Sequence, residues 1–248
     1  MADTITIKVL RRDGPTAPSR WEAFSMPYRP NLNVISCLME IRRRPVTVEG
    51  KATTPVAWEQ NCLENVCGSC SMLINGRPMQ ACATLIDNIG RSFSLAPLTK
   101  FPVVRDLMVD RQRMFEALKD VKAWVPVDGT YDLGPGPKMS DETRALRYAL
   151  SLCMTCGCCM EACPQYQQDA AFVGPAPVGQ SYLFLLHPTG RLHQDERRHT
   201  LMKPGGINDC GNAQNCERVC PRKVPLLDAI AGIYRETTKQ WFKDLFGK

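Results

Sequence analysis

The second half of the chain contains CMTCGCCMEACP at residues 153–164 and, in the same frame, CGNAQNCERVCP at residues 210–221. The first stretch has the spacing C-x2-C-x2-C-x3-C-P, which binds [4Fe–4S] clusters in bacterial ferredoxins. The second stretch repeats this spacing, with Ala213 in place of the second cysteine. The two runs together predict a domain that holds two iron–sulfur clusters.

The spacing also predicts which cysteines share a cluster, because in two-cluster ferredoxins the last cysteine of each run binds the cluster of the other run. One set is complete and predicts a [4Fe–4S] cluster: Cys153, Cys156, Cys159 and Cys220. The other set has three thiolates: Cys163, Cys210 and Cys216. Since the cube corner facing Ala213 lacks a thiolate to hold its iron, this set predicts a [3Fe–4S] cluster.

A third cysteine set lies in the first half, with the spacing C-x4-C-x2-C…C that is typical of plant-type [2Fe–2S] sites. Its members are Cys62, Cys67, Cys70 and Cys82. Gly68 allows the loop to curl so that backbone N–H groups can point at sulfur. Zinc sites favour paired C-x2-C units, which the x4 gap fits poorly. A zinc-structured interaction module remains the alternative, and it predicts a colourless protein.

The remaining candidate ligands have weaker patterns. Eleven of the thirteen cysteines belong to the three sets, and Cys37 and Cys158 are left over. Both are expected to be small buried core residues. Three histidines, His187, His193 and His199, have no Cys or His partner at zinc spacing and no C-x-x-C-H haem motif. They are expected to be ordinary surface histidines or to contact a ligand without binding metal themselves.

Length and composition allow one large domain or two small ones, since the chain has 248 residues. Its formal charge of +6 is not concentrated in a Lys/Arg-rich arm, so we expect no nucleic-acid partner. Each oxidised cluster with its thiolates carries roughly −2, which offsets this surplus. The sequence shows neither a secretory signal nor a run of about 18 apolar residues, so a cytoplasmic protein is expected.

The first part of the chain is predicted to be mainly β. Residues 4–9 alternate as a half-buried strand does, and residues 34–41 have helical apolar spacing. Asn75-Gly76 predicts a tight hairpin between residues 71–74 and 79–83, which would bring Cys82 back to the loop. We expect a plant-type ferredoxin (β-grasp) domain over residues 1–105.

The second part, residues 106–248, is predicted to be mainly helical, which makes the chain α+β. Residues 104–119 have helical spacing, and Gly134-Pro135-Gly136-Pro137 predicts a loop. Ser140 is a candidate N-cap for a helix that leads to Cys153. Residues 226–246 predict a helix whose first part, up to Ile233, packs on its own domain. Trp241, Phe242 and Phe246 near its end are expected to dock on a partner protein.

A plant-type [2Fe–2S] set, a bacterial two-cluster pair without its last second cysteine, and Phe172-Val173-Gly174-Pro175 together resemble the iron–sulfur subunits of the succinate:quinone oxidoreductase family, respiratory complex II. The resemblance spans essentially the whole chain. It implies electron transfer from the FAD of a flavoprotein subunit, through the three clusters, to quinone at a membrane anchor. It also implies a peripheral position on the cytoplasmic side of the cell membrane, and no catalytic acid or base in this chain.

Two features of the sequence distinguish this chain within the family. Some members have Asp as the third [2Fe–2S] ligand, whereas Cys70 keeps the thiolate. Members that bind ubiquinone beside the [3Fe–4S] cluster have Trp and His where this chain has Gln167, Gln168 and Gly211. Menaquinone and a di-haem cytochrome b anchor are therefore expected. Fumarate reductase, with reversed electron flow, and a soluble multi-cluster ferredoxin remain the alternatives.

Overall fold

The computed structural model describes residues 3–125 and 138–247. The predicted loop at Gly134–Pro137 lies outside these residues. The strands are β1 Thr4–Arg11, β2 Arg20–Pro27, β3 Ser71–Ile74, β4 Arg77–Gln80, β5 Ser92–Ala96, β6 Val103–Arg105 and β7 Met108–Val109. The helices are α1 Val34–Arg43, α2 Ile86–Ile89, α3 Gln112–Asp120, α4 Asp141–Ser151, α5 Cys158–Glu161, α6 Pro175–Leu186, α7 Gln194–Met202, α8 Asn215–Arg218 and α9 Leu226–Phe246.

The described chain forms two compact units, and the division does not follow chain order throughout. The first unit contains the residues up to Arg111 together with Met154–Glu161. The second contains the described parts of Gln112–Cys153 and Ala162–Lys248. The predicted change from a β-rich first part to a helical second part is confirmed.

A mixed five-stranded sheet with the order β2-β1-β5-β3-β4 forms the first unit. β1 pairs in parallel with β5 and antiparallel with β2. Side chains of β1 alternate as predicted, so that Ile5, Ile7 and Val9 are fully buried. α1 buries its apolar stripe, including Cys37, in the same core. This is the predicted β-grasp arrangement of a mixed sheet with a helix packed on it.

The predicted hairpin forms around Asn75 and Gly76, whose φ angles of 50° and 75° suit a type I′ turn. Its second strand begins and ends earlier than the predicted residues 79–83, since β4 spans Arg77–Gln80. Cys82 instead lies on a 3-10 turn, Ala81–Ala83. The predicted fourth [2Fe–2S] ligand therefore lies on a turn that follows the strand.

The helix predicted over residues 104–119 is wrong in its first half. β6 and β7 form a small antiparallel pair there, and α3 begins only at Gln112. The reason is Asp106, which has a left-handed φ of 46° and a fully buried side chain. Its Oδ1 lies 2.9 Å from Nε of the equally buried Arg11. This tertiary ion pair fixes a turn that a helix could not contain.

The second unit is helical, with α9 packed against α6 and α7. Ser140 caps α4 as predicted, because its hydroxyl accepts from the backbone N–H of Thr143 at 3.2 Å. α9 has the predicted bounds, and Leu226, Ile230 and Ile233 are buried. None of the helices within the described ranges is long and apolar enough to cross a membrane.

Candidate iron–sulfur sites

The loop from Cys62 to Cys70 has the backbone shape of an anion-binding nest. Three of its residues have left-handed φ angles: Leu63 (62°), Asn65 (57°) and Gly68 (75°). The turns aim the N–H groups of Glu64 and Val66 at Cys62 Sγ, each at 3.4 Å. N–H donors of this kind stabilise a thiolate that binds iron. The loop therefore fits a [2Fe–2S] cluster.

The four cysteines of this set occur as two hydrogen-bonded pairs. The N–H of Cys62 donates to Cys67 Sγ, and that of Cys82 donates to Cys70 Sγ, both at 3.5 Å. Burial raises the pKa of Cys67, but hydrogen bonds from Ser69 and Cys62 outweigh it and lower the pKa to about 6. Burial raises the pKa of Cys70 to about 12. Iron binding would have to remove the Cys70 proton, as a metal does for a coordinated thiol.

Residues outside the loop hold its ends in place. Arg111 Nη2 donates to the carbonyl of Ser69 at 2.9 Å, and its guanidinium pairs with Glu59 at 3.2 Å. Asn33 caps α1 with its Oδ1, while its Nδ2 donates to the carbonyl of Cys82 at 3.0 Å. One asparagine thus connects α1 to the turn that presents the fourth ligand.

The two cysteine runs of the second half have the same local structure as well as the same spacing. Left-handed φ angles recur at equivalent positions: Thr155 (49°) and Gly157 (86°) in the first run, Asn212 (50°) and Gln214 (60°) in the second. A one-turn helix follows at equivalent positions, α5 in the first run and α8 in the second. The internal repeat inferred from the sequence is therefore also a repeat of backbone conformation.

The three cysteines predicted to hold a [3Fe–4S] cluster all lie in the second unit. Burial, together with the charges of Cys163 and Cys210, raises the pKa of Cys216 to about 11. Tyr234 Oη donates to the carbonyl of Cys210 at 3.2 Å. Ala213, which stands where the first run has its second cysteine, is exposed.

The four cysteines of the predicted [4Fe–4S] set fall in both units. Cys156 and Cys159 belong to the first unit, and Cys153 and Cys220 to the second. Within the second unit, the N–H of Val224 donates to Cys220 Sγ at 3.4 Å. The grouping of these four residues around one cluster rests on their spacing.

The residues predicted not to be ligands have other contacts. Cys37 and Cys158 are both fully buried, as expected. His193 Nδ1 lies 2.9 Å from Glu196, and His199 Nε2 lies 2.8 Å from Asp244. Among residues 3–125 and 138–247, no three His, Cys, Asp or Glu side chains converge on a point suited to a single metal ion. A cluster does not require such a point, because each of its irons takes only one or two protein thiolates.

Sequence reasoning missed the residues that position the cysteines. Asn33, Arg111 and Tyr234 contact backbone carbonyls of the ligand loops, and Asn215 Nδ2 donates to the carbonyl of Ala162 at 3.2 Å, beside Cys163. Their residue types are common in any chain. The left-handed turns of the ligand loops, by contrast, had a signal in the sequence. Asn65 and Asn212 lie within the cysteine runs, and Asn tolerates the left-handed conformation.

Comparison with known proteins agrees with this arrangement. A model of a 2Fe-2S iron–sulfur cluster binding domain matches residues 6–116, and a model of a 4Fe-4S dicluster domain matches residues 149–224. The succinate dehydrogenase iron–sulfur subunit of Bacillus subtilis is 55% identical over 98% of this chain and 96% of its own. The fumarate reductase iron–sulfur subunit of Mycobacterium tuberculosis is 33% identical over 93% of this chain and 91% of its own.

A solved structure supports the fold. The chain aligns with a chain of the Mycobacterium smegmatis Sdh1 complex in the apo form, with a TM-score of 0.81, 23% identity and 98% coverage of both chains. The α+β fold, with a [2Fe–2S] ferredoxin domain before a dicluster domain, is thereby confirmed. The resemblance drawn from the cysteine pattern is confirmed by the 55% identity. The chain belongs to the family of iron–sulfur subunits of succinate dehydrogenases and fumarate reductases.

Proposed function

We propose that this chain carries electrons within a succinate dehydrogenase, from the FAD of a flavoprotein subunit to quinone at a membrane anchor. The observation that carries the proposal is the 55% identity to the Bacillus subtilis subunit along nearly the whole chain. The clusters would supply one-electron carriers, in the order [2Fe–2S], [4Fe–4S], [3Fe–4S]. The chain itself supplies thiolates, N–H donors to sulfur and burial.

The proposed ligands are the three sets named from the sequence. Cys62, Cys67, Cys70 and Cys82 hold the [2Fe–2S] cluster; Cys153, Cys156, Cys159 and Cys220 hold the [4Fe–4S] cluster; Cys163, Cys210 and Cys216 hold the [3Fe–4S] cluster. The N–H group of Glu64, which donates to Cys62 Sγ, supports the first set. The charges of Cys163 and Cys210, which act on Cys216, support the third set. The proposed boundary between the [2Fe–2S] domain and the dicluster domain lies near residue 105.

The test is anaerobic purification of the whole complex from membranes. About nine irons per chain are expected, with matching acid-labile sulfide. Low-temperature electron paramagnetic resonance should show an oxidised [3Fe–4S] signal and, after reduction, two further centres. Tightly bound zinc in place of iron would overturn the proposal. A subunit that elutes alone from native membranes, without flavoprotein or anchor, would instead support a soluble multi-cluster ferredoxin.

The quinone is proposed to be menaquinone, reduced in a di-haem cytochrome b anchor. Gln167 and Gln168 are exposed polar residues where ubiquinone-binding relatives have indole rings. A Cβ at Gly211 would lie 2.3 Å from Gln165 Nε2, so the Gln165 side chain fills the space of a larger residue there. This combination lacks the donors of the cluster-proximal quinone pocket. Haem spectra of the complex and its activity with menaquinone and ubiquinone analogues test this part.

The end of α9 is the proposed contact with the anchor, which would hold the chain on the cytoplasmic face of the membrane. Trp241, Phe242 and Phe246 are at least half exposed. Phe242 meets Trp241 edge to face and stacks on Phe246. Exposed aromatic clusters of this kind are common at interfaces. Truncation before Trp241 should spare cluster assembly and cost a few kcal/mol of association. Full copurification of the truncated subunit with the anchor would contradict this.

Fumarate reduction is the second candidate, because fumarate reductase iron–sulfur subunits are also relatives, at 33% identity for that of Mycobacterium tuberculosis. The ligand sets are the same for both directions of electron flow. Rates of succinate oxidation and fumarate reduction by the purified complex, measured with the native quinone pool, distinguish them.

A further inference from the structure

A buried polar network joins two of the proposed cluster loops within the first unit. Gln80, which is 3% exposed, lies with Oε1 3.5 Å from Cys70 Sγ and with Nε2 3.5 Å from Cys158 Sγ. The Cys158 side chain is in turn hydrogen-bonded to that of Cys156. One amide and one thiol therefore connect Cys70, in the [2Fe–2S] set, with Cys156, in the [4Fe–4S] set.

Neighbouring contacts hold this network in place. Gln80 Nε2 also donates to Ser71 Oγ at 2.6 Å, and Ser71 Oγ donates to the carbonyl of Gly68 at 2.9 Å. The oxygen and nitrogen of a glutamine side chain exchange places when the amide group rotates by 180°, and the surrounding hydrogen bonds decide which orientation is favoured. A thiolate can only accept hydrogen bonds, so once Cys70 binds iron the favoured orientation places Nε2 toward Cys70. Oε1 then accepts from the Ser71 hydroxyl, which turns away from the Gly68 carbonyl, and the single S–H of Cys158 is left for Cys156.

The network contains a hydrogen-bond donor for each cluster. Cys158 has no place in a ligand set and is fully buried. Its S–H can donate to Cys156 Sγ. A donor to a ligand sulfur stabilises the reduced cluster more than the oxidised one, because reduction adds negative charge.

We propose that Cys158 raises the reduction potential of the [4Fe–4S] cluster through Cys156, and that Gln80 raises that of the [2Fe–2S] cluster through Cys70. The inference rests on the proposed function. Cys158 and Gln80 would then be positioning residues, which adjust the driving force between two neighbouring clusters without binding iron. The simpler view is that Cys158 only fills core space, as Cys37 does.

The experiment is a redox titration of the whole complex, followed by electron paramagnetic resonance. Cys158→Ala removes the donor, Cys158→Ser keeps one, and Cys37→Ala removes an equally buried thiol from α1. For Cys158→Ala, the reduced-to-oxidised ratio of the [4Fe–4S] cluster at a fixed potential should fall about two- to tenfold. A tenfold fall is about 59 mV for one electron. Cys158→Ser and Cys37→Ala should stay near wild type.

Gln80→Leu provides an independent measurement if Cys158→Ala does not assemble. It should lower the reduced-to-oxidised ratio of the [2Fe–2S] cluster by a similar factor, with Cys158 intact. Unchanged potentials in the assembled variants, or an equal shift in Cys158→Ser and Cys158→Ala, would overturn the inference. Absence of cluster signals from the wild-type complex would instead overturn the proposed function, so the two failures are distinguishable.

Discussion

Gly68→Ala tests how closely two ligand loops pack in the first unit. Gly68 follows the proposed ligand Cys67 and has a φ of +75°. A Cβ added there would lie 2.8 Å from both Cα and Cβ of Cys156 and 2.8 Å from the carbonyl oxygen of Met154. These are backbone or near-backbone atoms, which cannot move aside as the end of a flexible side chain can. The substitution must therefore displace one loop.

Two terms contribute to the expected cost. The left-handed conformation costs a non-glycine residue about 1–2 kcal/mol. Overpacking against a fixed neighbour adds about 1–3 kcal/mol. Gly76 is a matched control, because it has the same φ of +75° but nothing within 4 Å of its added Cβ. Gly76→Ala should therefore show the conformational term alone, and the difference between the two variants isolates the contact with Cys156.

Thermal unfolding of the anaerobic, cluster-containing subunit measures this difference. For a chain of this size, 1 kcal/mol corresponds to a Tm shift of about 2–4 °C. Gly76→Ala should lower Tm by about 2–8 °C, and Gly68→Ala by about 4–20 °C. The [2Fe–2S] content, quantified by spin counting after reduction, should fall in Gly68→Ala alone. Equal Tm shifts with full cluster content in both variants would refute the argument that the loops touch at Gly68.

Three further substitutions test other parts of the structure. Asp106→Ala removes one of the two carboxylates that pair with the buried Arg11, Glu22 being the other, and takes the acceptor from the N–H groups of Arg12 and Ala57; it should lower the free energy of urea unfolding by about 2–5 kcal/mol. Asp13→Ala, which breaks an exposed pair, should lower it by under about 1 kcal/mol, and similar losses in both variants would contradict the buried-pair argument. Cys220→Ser should impair the [4Fe–4S] signal, whereas loss of the [3Fe–4S] signal alone would show that the ligand exchange is wrong. Ala213→Cys should convert the oxidised [3Fe–4S] signal toward [4Fe–4S] and lower its potential; an unchanged signal in an assembled variant would count against conversion.

The parts of the fold that were predictable have short-range causes. Alternation in β1, the Asn75-Gly76 turn and the Ser140 cap each depend on a few adjacent residues, and all three are confirmed. Residues 104–109 were mispredicted because a long-range ion pair decides their conformation. Arg11 and Asp106 are far apart in sequence, and apolar spacing carries no information about such a pair.

The candidate ligands were predictable for a different reason: iron–sulfur chemistry imposes a spacing on the cysteines themselves. It imposes no residue type on the groups that contact them. Gln80 reaches Cys70 and Cys158 because β4 and α5 pack together in the first unit, and Asn33 reaches Cys82 from the start of α1. Glutamine and asparagine occur throughout the chain, so only the three-dimensional structure reveals which ones lie beside a ligand.

The two cysteine runs keep one backbone shape although their residues differ. In the first run Gly157 adopts a left-handed conformation at little cost, whereas the equivalent Gln214 adopts it at a cost of about 1–2 kcal/mol. The second run thus keeps the backbone shape of a complete run although Ala213 replaces the second cysteine. Since the backbone shape is the same in both runs, the proposed difference between their clusters depends on the missing thiolate.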